Sequence, residues 1–282
     1  MSLYIPIQFC LLVGISSVCL SVLWWGTLRR REAAYVPFPD TGRTDGLRVP
    51  FGSSFDLWCC TAGVLLFLIG QLGMLRVGAE VEAQATSSLS GLAVSLLMQA
   101  AMYIPFIIRY VALPRMNGYA DHGLLRRVLW AAAALALILI PAAAMEQLGL
   151  YEWLAKLTGC PMQQDVVSIM SNSGTVHRVL LVAAAVIMAP IGEEIFFRGF
   201  LYNLMRRFCG VWSAALLGGL FFGVMHGSLA QMLPLTLFGL VQCLAYEKAR
   251  SLWLPISVHA VFNGFSCICI ILWPLLEQNM PQ

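Results

Sequence analysis

"VLLVAAAVIMAPIGEEIFFRGFL", residues 179–201, decides the fold, because fourteen residues without a charge run into two adjacent glutamates and an arginine. About 20 consecutive apolar residues cross the hydrocarbon core of a bilayer as a helix, and this stretch extended to residue 206 is long enough. Each charge at mid-bilayer costs about 2.5–3.5 kcal/mol on insertion scales, so Glu193, Glu194 and Arg198 would cost on the order of 8–10 kcal/mol if central and unpaired. The segment must recover this by pairing, by protonation or by lining a wet cavity. Glu194 and Arg198 are four residues apart and stack on one helical face, where they can pair. Glu193 lies about 100° further round and can face elsewhere.

The whole chain agrees with a membrane reading. Hydrophobic residues make up 60% of its 282 positions and charged residues 11%, far from the rough half and quarter of a soluble domain. The net charge of +3 forms no basic stripe, which argues against nucleic acid as a partner. Nine cysteines, an odd number lying mostly in apolar runs, read as small hydrophobes rather than a disulfide scaffold. The expected fold is all-α and polytopic. About eight transmembrane helices fall near residues 3–26, 55–75, 88–111, 127–145, 178–206, 211–229, 231–249 and 252–274. The fourth is thin and ends near Pro141, and the seventh carries Pro234 in its first turn, where a missing N–H costs little.

Charge asymmetry sets the expected orientation. With the N-terminus outside, the loops after spans 1, 3, 5 and 7 are cytoplasmic and hold thirteen of the seventeen basic residues, among them Arg29, Arg30, Arg31, Arg126, Arg127, Arg206, Arg207 and Lys248. Outer segments gather Glu80, Glu82, Glu146, Glu152, Asp165 and Glu277. Both termini are therefore expected outside. The first apolar run has no preceding positive cluster, which suits a retained span rather than a cleaved signal. Residues 1–177 read as N-terminal transmembrane helices with a cytoplasmic loop at 27–54 and an outer segment at 146–177. Within that segment "EQLGLYEWLAKL" has Leu148, Tyr151, Leu154 and Leu157 near helical spacing, as in an interfacial amphipathic helix. Residues 178–274 read as a core that carries the chemistry.

Three constellations lie in that core. Span 5 supplies Glu193, Glu194 and Arg198. Span 6 supplies "FFGVMHG", with Phe222 and His226 four apart; span 8 supplies "HAVFN", with His259 and Asn263 four apart. Counted at 1.5 Å per residue, the groups overlap near mid-membrane and can converge on one cavity between spans 5, 6 and 8. The other histidines, His122 and His177, lie near loops and need only solvation. A desolvated Glu193 suits a general base on water, a histidine can orient that water, and His259 and Asn263 are donors for an oxyanion. No G-x-S-x-G elbow occurs. Zinc held by Glu193, His226 and His259 is the chemical rival, although the usual H-E-x-x-H helix is missing and Asn263 is a poor ligand.

The three motifs, E-E-x-x-x-R at 193–198, F-x-x-x-H at 222–226 and H-x-x-x-N at 259–263, in this order, resemble those of the CAAX-protease and bacteriocin-processing family. These are intramembrane glutamic endopeptidases of the Ras-converting prenyl protease type. The resemblance covers about residues 178–266. It implies an all-helical membrane fold in which Glu193 and His226 activate water and His259 and Asn263 form the oxyanion site. Glu194, Arg198 and Phe222 are then supporting residues. It also implies no cofactor, with zinc as the alternative because family members were long described as metalloproteases. The expected substrate is a membrane-associated or prenylated-type peptide or protein, met in the lipid bilayer of a bacterial inner membrane. Against this stand a non-catalytic immunity or peptide-binding protein and a proton-coupled transporter. The three motifs together favour the enzyme.

Overall fold

The computed structural model describes residues 124–158, 174–206, 209–226, 229–249 and 251–277, with scattered positions before residue 110 that include Ser16, Trp24, Trp58, Thr61, Val64 and Tyr103. The architecture among the described residues is helical, without strands. Six helices follow in order: α1 (Leu124–Gln147), α2 (Leu150–Thr158), α3 (Thr175–Arg206), α4 (Val211–Met225), α5 (Leu229–Ala249) and α6 (Trp253–Glu277). Most of the expected spans 1–3, the 27–54 loop and residues 159–173 lie outside the described residues.

Three of these helices are long and apolar enough to cross a membrane, at Val128–Gln147, Thr175–Arg206 and Trp253–Leu272. With such spans, the chain is an integral membrane protein. The shorter α4 is apolar but has only 15 residues. The seventh expected span, α5, is diluted by Gln231, Thr236, Gln242, Glu247 and Lys248. Several of these face inward, with Thr236 and Gln242 buried, so packing against protein rather than lipid supports this helix.

Two proline expectations need correction. α1 continues through Pro141 to Gln147, and Pro234 stands in the second turn of α5 rather than its first. In a lipid-embedded bundle, neighbouring helices and local adjustment tolerate a lost i−4 bond that would end a solvated helix. α1 stops instead at Gly149, whose φ of 64° is left-handed and whose N–H donates to Glu146 O at 2.9 Å. The turn starts α2, where the sequence suggests an interfacial helix. Trp153 there is exposed and Tyr151 half-buried, with Lys156 3.6 Å from Glu152.

The long helix α3 is not uniformly α. Ala184–Met188 and Ile195–Tyr202 are π-helical, and Ala189–Glu194 between them is α. Such bulges insert an extra residue per turn and re-aim the side chains beyond them. Pro190 lies at the first junction. The Ala189 N–H donates to Ala184 O, and Pro190, next in line, has no N–H to give to Ala185 O.

Helices α4 and α5 form the closest pair. A β-carbon at Gly219 would stand 2.6 Å from Thr236 O, and one at Gly223 would stand 2.6 Å from Met232 O. Gly239 meets them from α5, 2.8 Å from the Gly219 Cα by the same measure. Small residues let the two backbones touch, the usual basis of helix association in lipid. The core around this seam holds Phe196, Phe197, Phe200, Phe221, Phe222 and Phe238. Toward the end of α3, Tyr202 and Arg206 bond Glu247 of α5 at 2.9 and 3.2 Å, and Asn203 donates to Tyr246 Oη at 2.8 Å. Lys248 lies over the Trp130 ring of α1 at 4.2 Å. These contacts clamp α1, α3 and α5 at one end.

Candidate active site

Glu194 organises the site. It is fully buried, and its Oε1 accepts from Arg198 Nη1 at 2.9 Å, His259 Nδ1 at 2.8 Å and Gln242 Nε2 at 3.4 Å. Three donors converging on one oxygen suit a carboxylate, which accepts only. Arg198, also fully buried, supplies the opposite charge and donates from Nη2 to Gly239 O at 3.1 Å. Its guanidinium lies 4.8 Å from the Phe222 ring centroid, a cation–π contact that extends the neutralisation to α4. The Glu194–Arg198 pair expected from the i, i+4 spacing is thus present. It is also tied to α5 and α6, which the spacing could not reveal.

Glu193 faces the other way, toward two imidazoles. Its Oε2 lies 3.9 Å from His226 Nε2 and 3.9 Å from His259 Nε2. That oxygen is buried and has no hydrogen-bond partner, although the side chain as a whole stays 16% exposed and His226 25% exposed. Both ring tautomers follow from their acceptors. His226 Nδ1 donates to Phe222 O at 2.8 Å and His259 Nδ1 donates to Glu194, so both Nε2 atoms turn to Glu193. Separations of 3.9 Å are too long for direct hydrogen bonds and suit a bridging molecule. A carboxylate oxygen without a donor, faced by two imidazole nitrogens, can hold a water and accept its proton.

His226 does not lie within a helix, as the expected 211–229 span had it. α4 ends at Met225 and His226 caps it, with φ −80° and ψ −4°. The glycine at 227 is the stop signal that the sequence offered. At the terminus the ring is held by Phe222 O, a carbonyl of the last turn of its own helix, rather than by packing alone. Phe222 supports it, with ring centroids 4.5 Å apart, and also meets His259 at 5.9 Å.

Asn263 Nδ2 donates to Ala185 O at 2.7 Å, the carbonyl that Pro190 leaves without a backbone donor. The second amide hydrogen is not used by this bond. Glu193, His226 and His259 are thus gathered around one point from α3, α4 and α6, while Asn263 stands one turn beyond His259 and docks α6 on α3.

Sequence reasoning missed α5. Gln242 reaches Glu194 and also donates to Pro255 O at 2.8 Å, and Phe238 packs on His259 with centroids 5.0 Å apart. An uncharged glutamine among "FGLVQCLAY" gave little signal beyond its polarity in an apolar run. Tyr103 was missed too; its ring fills the space beside Gly192, where a β-carbon would lie 2.5 Å from it. His177 departs from its expected solvation: it is buried in the first turn of α3 with Nε2 unpartnered.

The zinc alternative would draw on Glu193, His226 and His259. Among the described residues no group of three or more His, Cys, Asp or Glu is arranged to hold a metal ion. Ligands at about 2.0–2.2 Å from one tetrahedral zinc stand about 3.4 Å apart, so Glu193 and the two imidazoles, at 3.9 Å, would have to close in by about half an ångström to share one.

Comparison with known proteins agrees with the motifs. Residues 175–265 match the Rce1-like family, described as type II CAAX prenyl endopeptidase Rce1-like. The "Putative membrane peptidase YdiL" of Bacillus subtilis (strain 168) is 30% identical over 106 residues, 36% of this chain and 43% of that protein. The "Uncharacterized 24.3 kDa protein" of Escherichia coli is 29% identical over 126 residues, 43% of this chain and 58% of that protein. The chain thus spans about half the length of the curated relatives it matches. No solved structure matches it. The resemblance read from the three motifs is shown over residues 175–265, and none of these matches supports a metalloprotease.

Proposed function

We propose that this chain, whose residues 175–265 match the Rce1-like family, is an intramembrane endopeptidase that hydrolyses a peptide bond with water activated by Glu193 and His226. The observation that carries the reading is the buried Glu193 Oε2, without a hydrogen-bond partner and faced at 3.9 Å by two Nε2 atoms that reach it from α4 and α6. A general base must keep its lone pairs for water, and this oxygen keeps them with two imidazoles beside it.

The steps balance without a covalent intermediate. Water held by Glu193 and His226 adds to the scissile carbonyl carbon; its proton goes to Glu193, and the carbonyl π pair moves to oxygen. The oxyanion accepts a hydrogen bond from the second amide hydrogen of Asn263, with no proton passed to it, while the His259 ring, its Nδ1–H on Glu194, closes the same side of the site. The intermediate then collapses, the C–N bond breaks, and the leaving amine takes the proton back from Glu193. Glu194 and Arg198 keep His259 in place throughout. No metal enters this scheme.

The substrate class follows from position and from the matched family: a membrane-associated peptide or protein with its scissile bond near the bilayer, of the prenylated C-terminal type or an unmodified bacterial counterpart. The setting in this reading is a bacterial inner membrane, and the distribution of basic residues supports an orientation with both termini outside. The test is cleavage of membrane-proximal peptides, prenylated and unmodified, by purified wild type, Glu193→Ala and His226→Ala. Cleavage by wild type alone is expected. Cleavage retained in both variants would sink the assignment.

A further inference from the structure

Gln242 is buried at the middle of α5, in none of the three motifs, and it bonds two groups that hold His259. Its Nε2 donates to Glu194 Oε1 at 3.4 Å, the oxygen that accepts the His259 Nδ1–H. The same Nε2 donates to Pro255 O at 2.8 Å. Pro255 is four residues before His259, so this carbonyl is the i−4 acceptor of the His259 backbone N–H within α6. One amide group thus meets both the carboxylate that holds the ring and the turn that carries its backbone.

The amide orientation is fixed by chemistry. Both neighbours are pure acceptors, and a flipped amide would set oxygen against oxygen at each. The cost of the observed orientation falls on Gln242 Oε1, which is buried without a partner. An orphaned acceptor in a membrane core is a standing penalty, and packing alone would favour an apolar residue of the same length. Leucine, methionine or phenylalanine would fill the seam between α5 and α6 without it.

From this arrangement we propose that Gln242 is a positioning residue for the peptidase reaction: it fixes Glu194 and the first turn of α6 so that His259 keeps its Nδ1–H on Glu194 and turns Nε2 toward Glu193. The proposal rests on the function given above. Without Gln242, Glu194 keeps Arg198 but loses its tether to α5, and the carboxylate is free to swing with Arg198 away from His259 Nδ1. The His259 ring then samples a second orientation. Gln242 touches neither the attacking water nor the carbonyl, so its loss acts on turnover through His259 and leaves substrate affinity alone.

The test pairs a kinetic with a spectroscopic readout in the full chain. Gln242→Met keeps length and removes the donor. The expected result is a kcat lower by roughly tenfold or more with KM unchanged. In 15N-histidine-labelled protein, the His259 resonances, assigned by their absence in His259→Asn, show the Nδ1–H tautomer in wild type and a mixture in Gln242→Met. A merely structural role would lower thermal stability and leave the tautomer and kcat as they are, and that result overturns the proposal. Should Gln242→Met fail to fold in detergent, Gln242→Asn keeps the amide one methylene short of Glu194 and carries the same two readouts. If wild type cleaves nothing, the endopeptidase reading fails, and the wild-type and variant tautomers alone decide whether Gln242 orders His259.

Discussion

Gly223→Ala tests the α4–α5 seam by adding one methyl group three residues before His226. Its β-carbon would stand 2.5 Å from Thr236 Oγ1, 2.6 Å from Met232 O and 3.0 Å from Thr236 N. The threonine hydroxyl can rotate away, but the Met232 carbonyl is backbone. Relief of that contact to an ordinary 3.4 Å requires the two helices to part by about 0.8 Å. Overpacking on this scale costs about 1–3 kcal/mol. The same movement carries Gly239 O away from Arg198, now at 3.1 Å, and draws Gln242 from Glu194, now at 3.4 Å. It also shifts His226 against Glu193, and displacement near 1 Å at a reacting group costs about a hundredfold in rate. The assay measures thermal unfolding in detergent beside cleavage of a membrane-proximal peptide. Gly264→Ala is the control: it is also a mid-helix glycine, next to Asn263, with nothing nearer to its new methyl than Val186 Cγ2 at 3.9 Å. The control should match or slightly exceed wild-type stability, since alanine is the better helix former. If Gly223→Ala behaves like Gly264→Ala in both assays, the close seam does not set the site geometry and the reasoning is wrong.

Three further outcomes are expected. Glu193→Gln abolishes cleavage yet leaves thermal stability unchanged or raised by up to about 1 kcal/mol, because it removes a buried charge that has no donor; a clear loss of stability would mean that the carboxylate is structural. Arg198→Met leaves Glu194 unpaired already in the isolated helix, so the defect should appear first as poor membrane insertion, by about 2.5–3.5 kcal/mol, and Glu194→Gln in the same chain should restore insertion but not cleavage; a reporter of span insertion reads both. Incubation with a strong zinc chelator should leave peptide cleavage intact, and activity that vanishes and returns with added zinc would reinstate the metal reading.

The parts legible in the sequence share one physical property. Glu193, Glu194, Arg198, His226 and His259 are costly in an apolar helix, so their presence alone marks them, and the i, i+4 spacing foretold the Glu194–Arg198 contact. The third donor on the same oxygen was not legible, because it comes from α5 and depends on how two glycine-bearing helices meet. Gln242 carries no charge and so raised no alarm. Helix ends were read less well than helix centres. Pro141 and Pro234 looked like stops or first-turn residues by rules set in water, where a lost backbone bond is exposed to solvent competition. The π turns at 184–188 and 195–202 have no composition of their own and arise from the packing around them. His226 at the end of α4 was the opposite case, since the glycine after it was visible and the apolar run was read past it.

Pro190 gives the bond between Asn263 and Ala185 O a consequence for anyone who wants to move this chemistry elsewhere. A proline in α3 decides what a side chain in α6 can grip, because it leaves a carbonyl vacant where an ordinary residue would occupy it. A chimera that imports the "HAVFN" segment into a foreign bundle would therefore bring an asparagine with nothing to hold. The transferable part is a pair of helices, and one half of its lock is a missing hydrogen.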